Sequence, residues 1–179
     1  GIGGTGCSLV NRLSRQLRDR VSLMGIDTGT GVNGLPAPAV SVSFGDGFGS
    51  GGDPQIAAGH FEEIAERIST FVCGADVIVI VAGLGRGTGS GVSPLVAGIA
   101  RQAGALTLAV VNVPFEFEGR CRLDCADSAL AGLRASSDAV FAIGNSIAGG
   151  PARNGARLTD VFEETNRTFS NSINAVVTS

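Results

Sequence analysis

Tryptophan and tyrosine are absent from the 179 residues, and histidine occurs once, at His60. With one imidazole in the chain, no Ser/His/Asp or Cys/His set can be read from the pattern, and His60 is expected on the surface of a helix over 55–72. Positive charge is also scarce. Thirteen arginines and lysines against sixteen acids leave a net charge of −3, with a pI near 5.1. No basic cluster appears along the chain, so the electrostatic footprint of a nucleic-acid binder is missing. Long apolar runs are missing as well. The stretches 76–82 and 105–111 are too short to cross a bilayer, and no basic segment with an apolar core and cleavage site opens the chain. The expectation is a soluble, cytoplasmic protein without direct membrane insertion. Cysteine is sparse: Cys7, Cys73, Cys121 and Cys125 lack the paired CxxC spacing of a zinc site, although Cys121 and Cys125 could share a helix face. They are expected to be buried or half-buried free thiols.

Glycine, in contrast, is abundant, with 28 residues, while 44% of the chain is hydrophobic and 16% charged. That balance suits one domain with a substantial core. The glycines cluster where strand patterns give way to helix patterns. Helical spacing runs through Ser8 to Asp19 on Leu9, Leu13 and Leu17. Strand patterns follow at Val21 to Ile26 and at Ala39 to Phe44, the latter with Val40, Val42 and Phe44 on one face. A helix from Gln55 to Val72, capped by Asp53-Pro54, places Phe61, Ile64, Ile68, Phe71 and Val72 on one stripe. The run 76–82 reads as a fully buried parallel strand. Then come a helix over 90–103 ending at Gly104, a strand over 106–111, a helix over 120–136 and a strand from Asp138 to Ile143. A last amphipathic helix starts near Arg157. Alternation of this kind predicts an α/β fold, a three-layer, doubly wound parallel sheet with helices on both faces, and it puts ligands at the carboxyl ends of the strands.

Two glycine loops stand at such ends. Residues 83–91 read Gly-Leu-Gly-Arg-Gly-Thr-Gly-Ser-Gly. Glycines there let backbone amides approach an anion, and the N-terminus of the helix that follows adds unpaired N–H groups and partial positive charge. No lysine follows, so the loop is not of the Walker type. Gly1 to Gly6 fits GxGxxG, and Asp27 lies 21 residues after Gly6, where a dinucleotide-binding domain keeps its ribose acid. Taken alone, that motif is equally a tight glycine turn packing helix on strand, and Asp27 a strand-end cap. A dinucleotide fold, however, has no need of the second loop at 83–91.

The nine residues at 83–91 resemble the signature loop of the tubulin/FtsZ family, and the resemblance extends in order over essentially the whole chain. Gly1 to Asn11 is similar to the family's first glycine loop and the asparagine on its helix. Asp27-Thr28 falls where the family has Asn-Thr, and Gly45 to Pro54 resembles the loop that reaches the terminal phosphate. Val113 to Gly119 with Arg122 is similar to a segment whose acid holds the ribose and whose arginine lies by the nucleotide. Asn145 and Asn166 fall on the two guanine-contacting positions. The resemblance therefore implies a GTP/GDP site, with Mg2+, drawing on Gly3, Gly4, Gly6, Cys7, Asn11, Asp27, Gly49, Gly51, Gly85, Arg86, Gly87, Thr88, Gly89, Ser90, Glu118, Arg122, Asn145 and Asn166. The chemistry of two positions agrees: Glu118 can accept from both ribose hydroxyls, and an asparagine amide pairs with guanine in a way adenine cannot reciprocate. In isolation Glu118 is equally a helix-start carboxylate, Asn145 a turn residue, Asn166 a polar spot on a helix and Arg122 a solvated arginine.

Three positions depart from the family pattern. Arg86 stands where glycine is usual, Asp27 adds a negative charge beside the pocket, and Ser146 to Gly150 replaces the usual Asp-Arg after Asn145. The resemblance also implies that hydrolysis needs acidic residues on a loop after the long central helix, acting on nucleotide held by the neighbouring subunit. The 179 residues end before such a loop and open on a strand-to-helix turn without its strand. They are thus expected to be a nucleotide-binding domain of a larger self-assembling cytoskeletal GTPase, with copies of itself or a related FtsZ-like protein as partner. The alternatives are a non-hydrolysing regulator or scaffold, and an NAD(P)-binding oxidoreductase domain.

Overall fold

The computed structural model describes residues 1–17 and 21–144, together with Arg167 and Asn171. Asn145, Asn166, the loop 146–150 and the helix expected from Arg157 lie outside the described residues.

Among the described residues five parallel strands form the middle layer. Strand β1 (Met24–Asp27) pairs with β2 (Val40–Ser43), and β3 (Val77–Gly83) pairs with β4 (Leu106–Val113), which pairs with β5 (Ala139–Gly144). Ile2 joins the two groups by bridging to Ile26 on one side and Ala82 on the other. Its amide donates to Val81 O at 2.8 Å, and the Ile26 amide donates to Gly1 O at 2.8 Å. Below this rung, β1 and β3 border a groove of about 580 Å³.

Helices cover both faces, as the alternating pattern predicts. Helix α1 (Gly3–Leu17) sets Leu9 and Leu13 against Val81 and Val110. On the opposite face α3 (Glu62–Val72), α4 (Gly87–Gln102) and α5 (Arg120–Ser136) bury Ile64, Ile68, Val92, Val96, Ala126 and Leu133 against Ile80, Ala82, Ala109 and Val111. Successive residues of β3 and β4 thus face opposite layers, the period-2 consequence of the pleat. Each fully buried valine or isoleucine contributes about 1.5–3 kcal/mol. Small residues let α5 approach α4: a side chain at Gly132 would meet Pro94 at 3.1 Å.

Three expectations need correction. The helix predicted over 55–72 is two helices, α2 (Pro54–Gly59) and α3, separated by a turn at His60 and Phe61. Glycine holds a helix poorly at position 59, and Glu62 and Glu63 favour a fresh N-terminus immediately afterwards. His60 therefore sits in the turn, its Nδ1 2.6 Å from Glu63 Oε1. The run 76–82 is not buried throughout. Val77 is 49% exposed and only Ile80 to Ala82 are fully covered, because the first half of β3 lines the groove beside β1. Of the cysteines, Cys7 is buried and Cys125 half-buried, but Cys73 and Cys121 are exposed. The predicted cap holds: Asp53 Oδ1 accepts from the Gln55 amide at 2.8 Å, with Pro54 in the first turn of α2.

Candidate functional site

A cleft of about 620 Å³ opens at the carboxyl ends of β1, β3 and β4, the end at which an open parallel sheet receives ligands. Two helices begin in it. Gly3, at φ +72, turns the chain from the Ile2 rung into α1. Leu84 to Arg86 lead from β3 into α4, whose first residues are Gly87, Thr88 and Gly89. The first turn of a helix leaves its amides without intrahelical partners, and no side chain caps α4. The cleft is thus furnished with N–H donors and the positive ends of two helix dipoles.

The two turns touch. A side chain at Gly3 would lie 3.1 Å from the Gly89 amide nitrogen, and one at Gly87 would overlap Ser50 Oγ. Thr28, following β1, meets Thr88 through a buried hydroxyl–hydroxyl hydrogen bond of 2.7 Å. Inside the second turn, the Gly85 amide donates to Ser90 Oγ at 2.9 Å, and Ser93 Oγ donates to Gly89 O. These bonds fix the loop in the shape that presents its amides to the cleft.

The remaining wall carries the charge. Arg122 Nη1 donates to Glu118 Oε2 in an ion pair, and Glu118 Oε1 accepts from the Phe115 amide at 2.8 Å. Asp27 Oδ2 accepts from the Gly31 amide at 3.0 Å, so the acid is also a local cap for the short 3-10 turn Thr30–Val32. Asn112, at the end of β4, lines the cleft, and among the described residues its buried Oδ1 has no partner. An orphaned acceptor of this kind awaits a donor from a ligand or water.

Of the residues singled out in the sequence, Gly3, Gly4, Asp27, Gly49, Arg86, Gly87, Thr88, Gly89, Glu118 and Arg122 line the cleft together. Six others have different places. Gly6 packs α1 on the sheet, where any side chain would overlap Val81 O. The Cys7 thiol, its pKa pushed up by burial, lies 3.6 Å from Ile26 O. Asn11 is half-buried two turns along α1, Gly51 is exposed beside the rim, Gly85 is wedged against Pro114, and Ser90 serves the loop itself. Sequence reasoning missed Thr5, Ser8, Ser50 and Asn112, which also line the cleft. Thr5 and Ser8 carried a signal, hydroxyls in the opening turns of a glycine-led helix; Asn112 carried none.

Comparison with known proteins agrees with this architecture. Residues 39–148 match the model of the Tubulin/FtsZ family, GTPase domain. An FtsZ dimer from M. jannaschii is 31% identical and superposes with a TM-score of 0.92, over 99% of this chain and 52% of that one. A point mutant of M. jannaschii FtsZ gives 30% identity and a TM-score of 0.89, over 98% of this chain and 54% of that one. CetZ2 from Haloferax volcanii, a GTPγS-bound protofilament, shares the fold at 22% identity and a TM-score of 0.82, over 99% and 56% of the two chains. The chain spans about half the length of these relatives. A family model matched over most of the chain, and a cleft assembled from the loops that carry the resemblance, lead to one conclusion: the chain belongs to the Tubulin/FtsZ family, through its GTPase domain.

Proposed function

We propose that this domain binds GTP in the cleft at the carboxyl edge of its sheet and serves a cytoplasmic, self-assembling cytoskeletal GTPase, in which the nucleotide lies at the contact between successive subunits. The observation that carries the reading is the convergence of two glycine-opened helix N-termini, Gly3 of α1 and Gly87 of α4, close enough that a side chain on Gly3 would press on the Gly89 amide. Two such termini in one cleft are suited to several phosphates in a row. A dinucleotide site of the GxGxxG kind uses one.

The residues fit the ligand. Amides of the two turns would hold phosphate oxygens, Glu118 and Arg122 lie at the wall where a ribose would be gripped, and the orphaned Asn112 Oδ1 offers an acceptor to a hydroxyl or a hydrated ion. Magnesium, if bound with the nucleotide, would supply charge neutralisation to its phosphates, a role that needs few protein ligands. Among the described residues no group of three His, Cys, Asp or Glu side chains is placed to hold a metal by itself. Hydrolysis would draw on an acidic loop of the neighbouring subunit, and assembly on contact with copies of the chain or a related protein; a dimer and a protofilament among the structural neighbours support that part.

Calorimetric titration of the nucleotide-stripped chain with GTP, ATP and NAD in magnesium, beside a Gly87→Asp/Gly89→Asp variant, tests the reading. Magnesium-dependent GTP binding lost in the variant is expected. Tight NAD binding that survives the variant, or no binding at all, would overturn it.

A further inference from the structure

Four charged side chains line the cleft, Asp27, Arg86, Glu118 and Arg122. Glu118 and Arg122 neutralise each other, and Asp27 is held by the Gly31 amide. Arg86 differs from the other three. It is exposed, and among the described residues its guanidinium makes no hydrogen bond or ion pair. The chain contains no lysine, so Arg86 is the one uncommitted permanent cation that the described cleft presents.

Its position is a poor one for an arginine unless an anion is bound. Arg86 is the N-cap of α4 and caps nothing, although Ser, Thr, Asp or Asn would satisfy a helix amide there. A cation at the N-terminus also opposes the helix dipole. A bound polyphosphate reverses both terms, since it satisfies the free amides and pairs with the guanidinium. The root of the side chain is fixed. Arg86 is extended at φ −136 and ψ 178, its carbonyl accepts from the Ser90 amide at 3.2 Å, and the Cys125 thiol of α5 reaches the same oxygen at 3.9 Å. A planar fork of donors projecting from rigid backbone beside a row of amides is suited to phosphate.

We infer that Arg86 is a phosphate-binding residue of this site that makes affinity rise with the number of phosphate charges on the nucleotide. The inference rests on the nucleotide site proposed above and names the side chain that grades its ligands. It is tested by titrating the wild-type, Arg86→Ala and Arg86→Lys chains with GTP, GDP and guanosine in magnesium at two salt concentrations, with circular dichroism to confirm the fold. Arg86→Ala should weaken GTP binding about tenfold, the effect of losing one charge-assisted contact. GDP should suffer less, guanosine not at all, and the salt dependence of GTP binding should become shallower. Arg86→Lys should recover part of the loss, and it carries the test if the alanine variant misfolds. Equal GTP affinity in wild type and Arg86→Ala, or an equal loss for all three ligands, overturns the inference while leaving the nucleotide site standing. Equal affinity is also the result expected if the guanidinium serves an acidic protein partner instead. Failure of the wild-type chain to bind any guanine nucleotide overturns the site and the inference together.

Discussion

Two glycines of α4 should respond to the same substitution with opposite signs. Glycine inside a helix costs roughly 0.5–1 kcal/mol relative to alanine, so propensity alone makes both Gly89→Ala and Gly98→Ala stabilising. At Gly98 nothing among the described residues lies within 4 Å of an added methyl, and the full gain of about 0.5–1 kcal/mol should appear, raising Tm by about 1–4 °C for a domain of this size. At Gly89 the methyl would overlap the Gly83 carbonyl oxygen and stand 3.2 Å from its carbon. Both are backbone atoms of β3, which cannot rotate away. Overpacking of this kind costs about 1–3 kcal/mol, and contact with main chain puts the cost near the upper limit. After the helical gain is deducted, Gly89→Ala should lose about 2 kcal/mol, lower Tm by about 4–8 °C and push the Gly87–Gly89 amides out of the cleft. Urea denaturation monitored by circular dichroism, with GTP titration of the folded variants, measures both effects. A Gly89→Ala chain as stable as Gly98→Ala and still able to bind nucleotide would refute the close packing of α4 on β3 described above.

The hydroxyl pair of Thr28 and Thr88, 4% and 7% exposed, should behave as a coupled unit. Thr28→Val and Thr88→Val should each cost about 1–3 kcal/mol by leaving the partner unpaired, and the double variant less than their sum; additive losses in a denaturation cycle would count against the bond. Asp27→Asn keeps an oxygen for the Gly31 amide but removes a negative charge from the cleft, so GTP should bind more tightly by about 1 kcal/mol, or several-fold. Weaker binding in the same titration would show that the carboxylate itself serves the ligand.

Much of the fold was legible because period-2 and period-3.6 patterns alternate along the chain with glycines between them. Helix α5 runs over Arg120–Ser136, the span its spacing predicts. The break at His60 was not legible, since Gly59 is tolerated in many helices and only packing decides whether the helix ends there. The apolar residues of β3 implied burial on both faces, but burial depends on what lies beside the strand, and Val77 lines the groove between β1 and β3. At the site, the glycine loops announced themselves, while their convergence did not: Thr28 and Thr88 are sixty residues apart, and no local pattern encodes such a pairing. Asn112 was invisible for a related reason. A polar residue at a strand end is unremarkable until the three-dimensional arrangement shows that its carbonyl oxygen has no donor.

Among the described residues Ile2 bridges β1 to β3, and that seam runs directly beneath the cleft. Thr28 and Ser50 belong to the half built on β1 and β2, whereas Gly87 to Gly89 and Asn112 belong to the half built on β3 to β5. A molecule gripping both walls therefore acts as a second rivet across the seam. Its binding free energy would appear in part as protection of the backbone amides of Ile2 and Ile26 against hydrogen exchange.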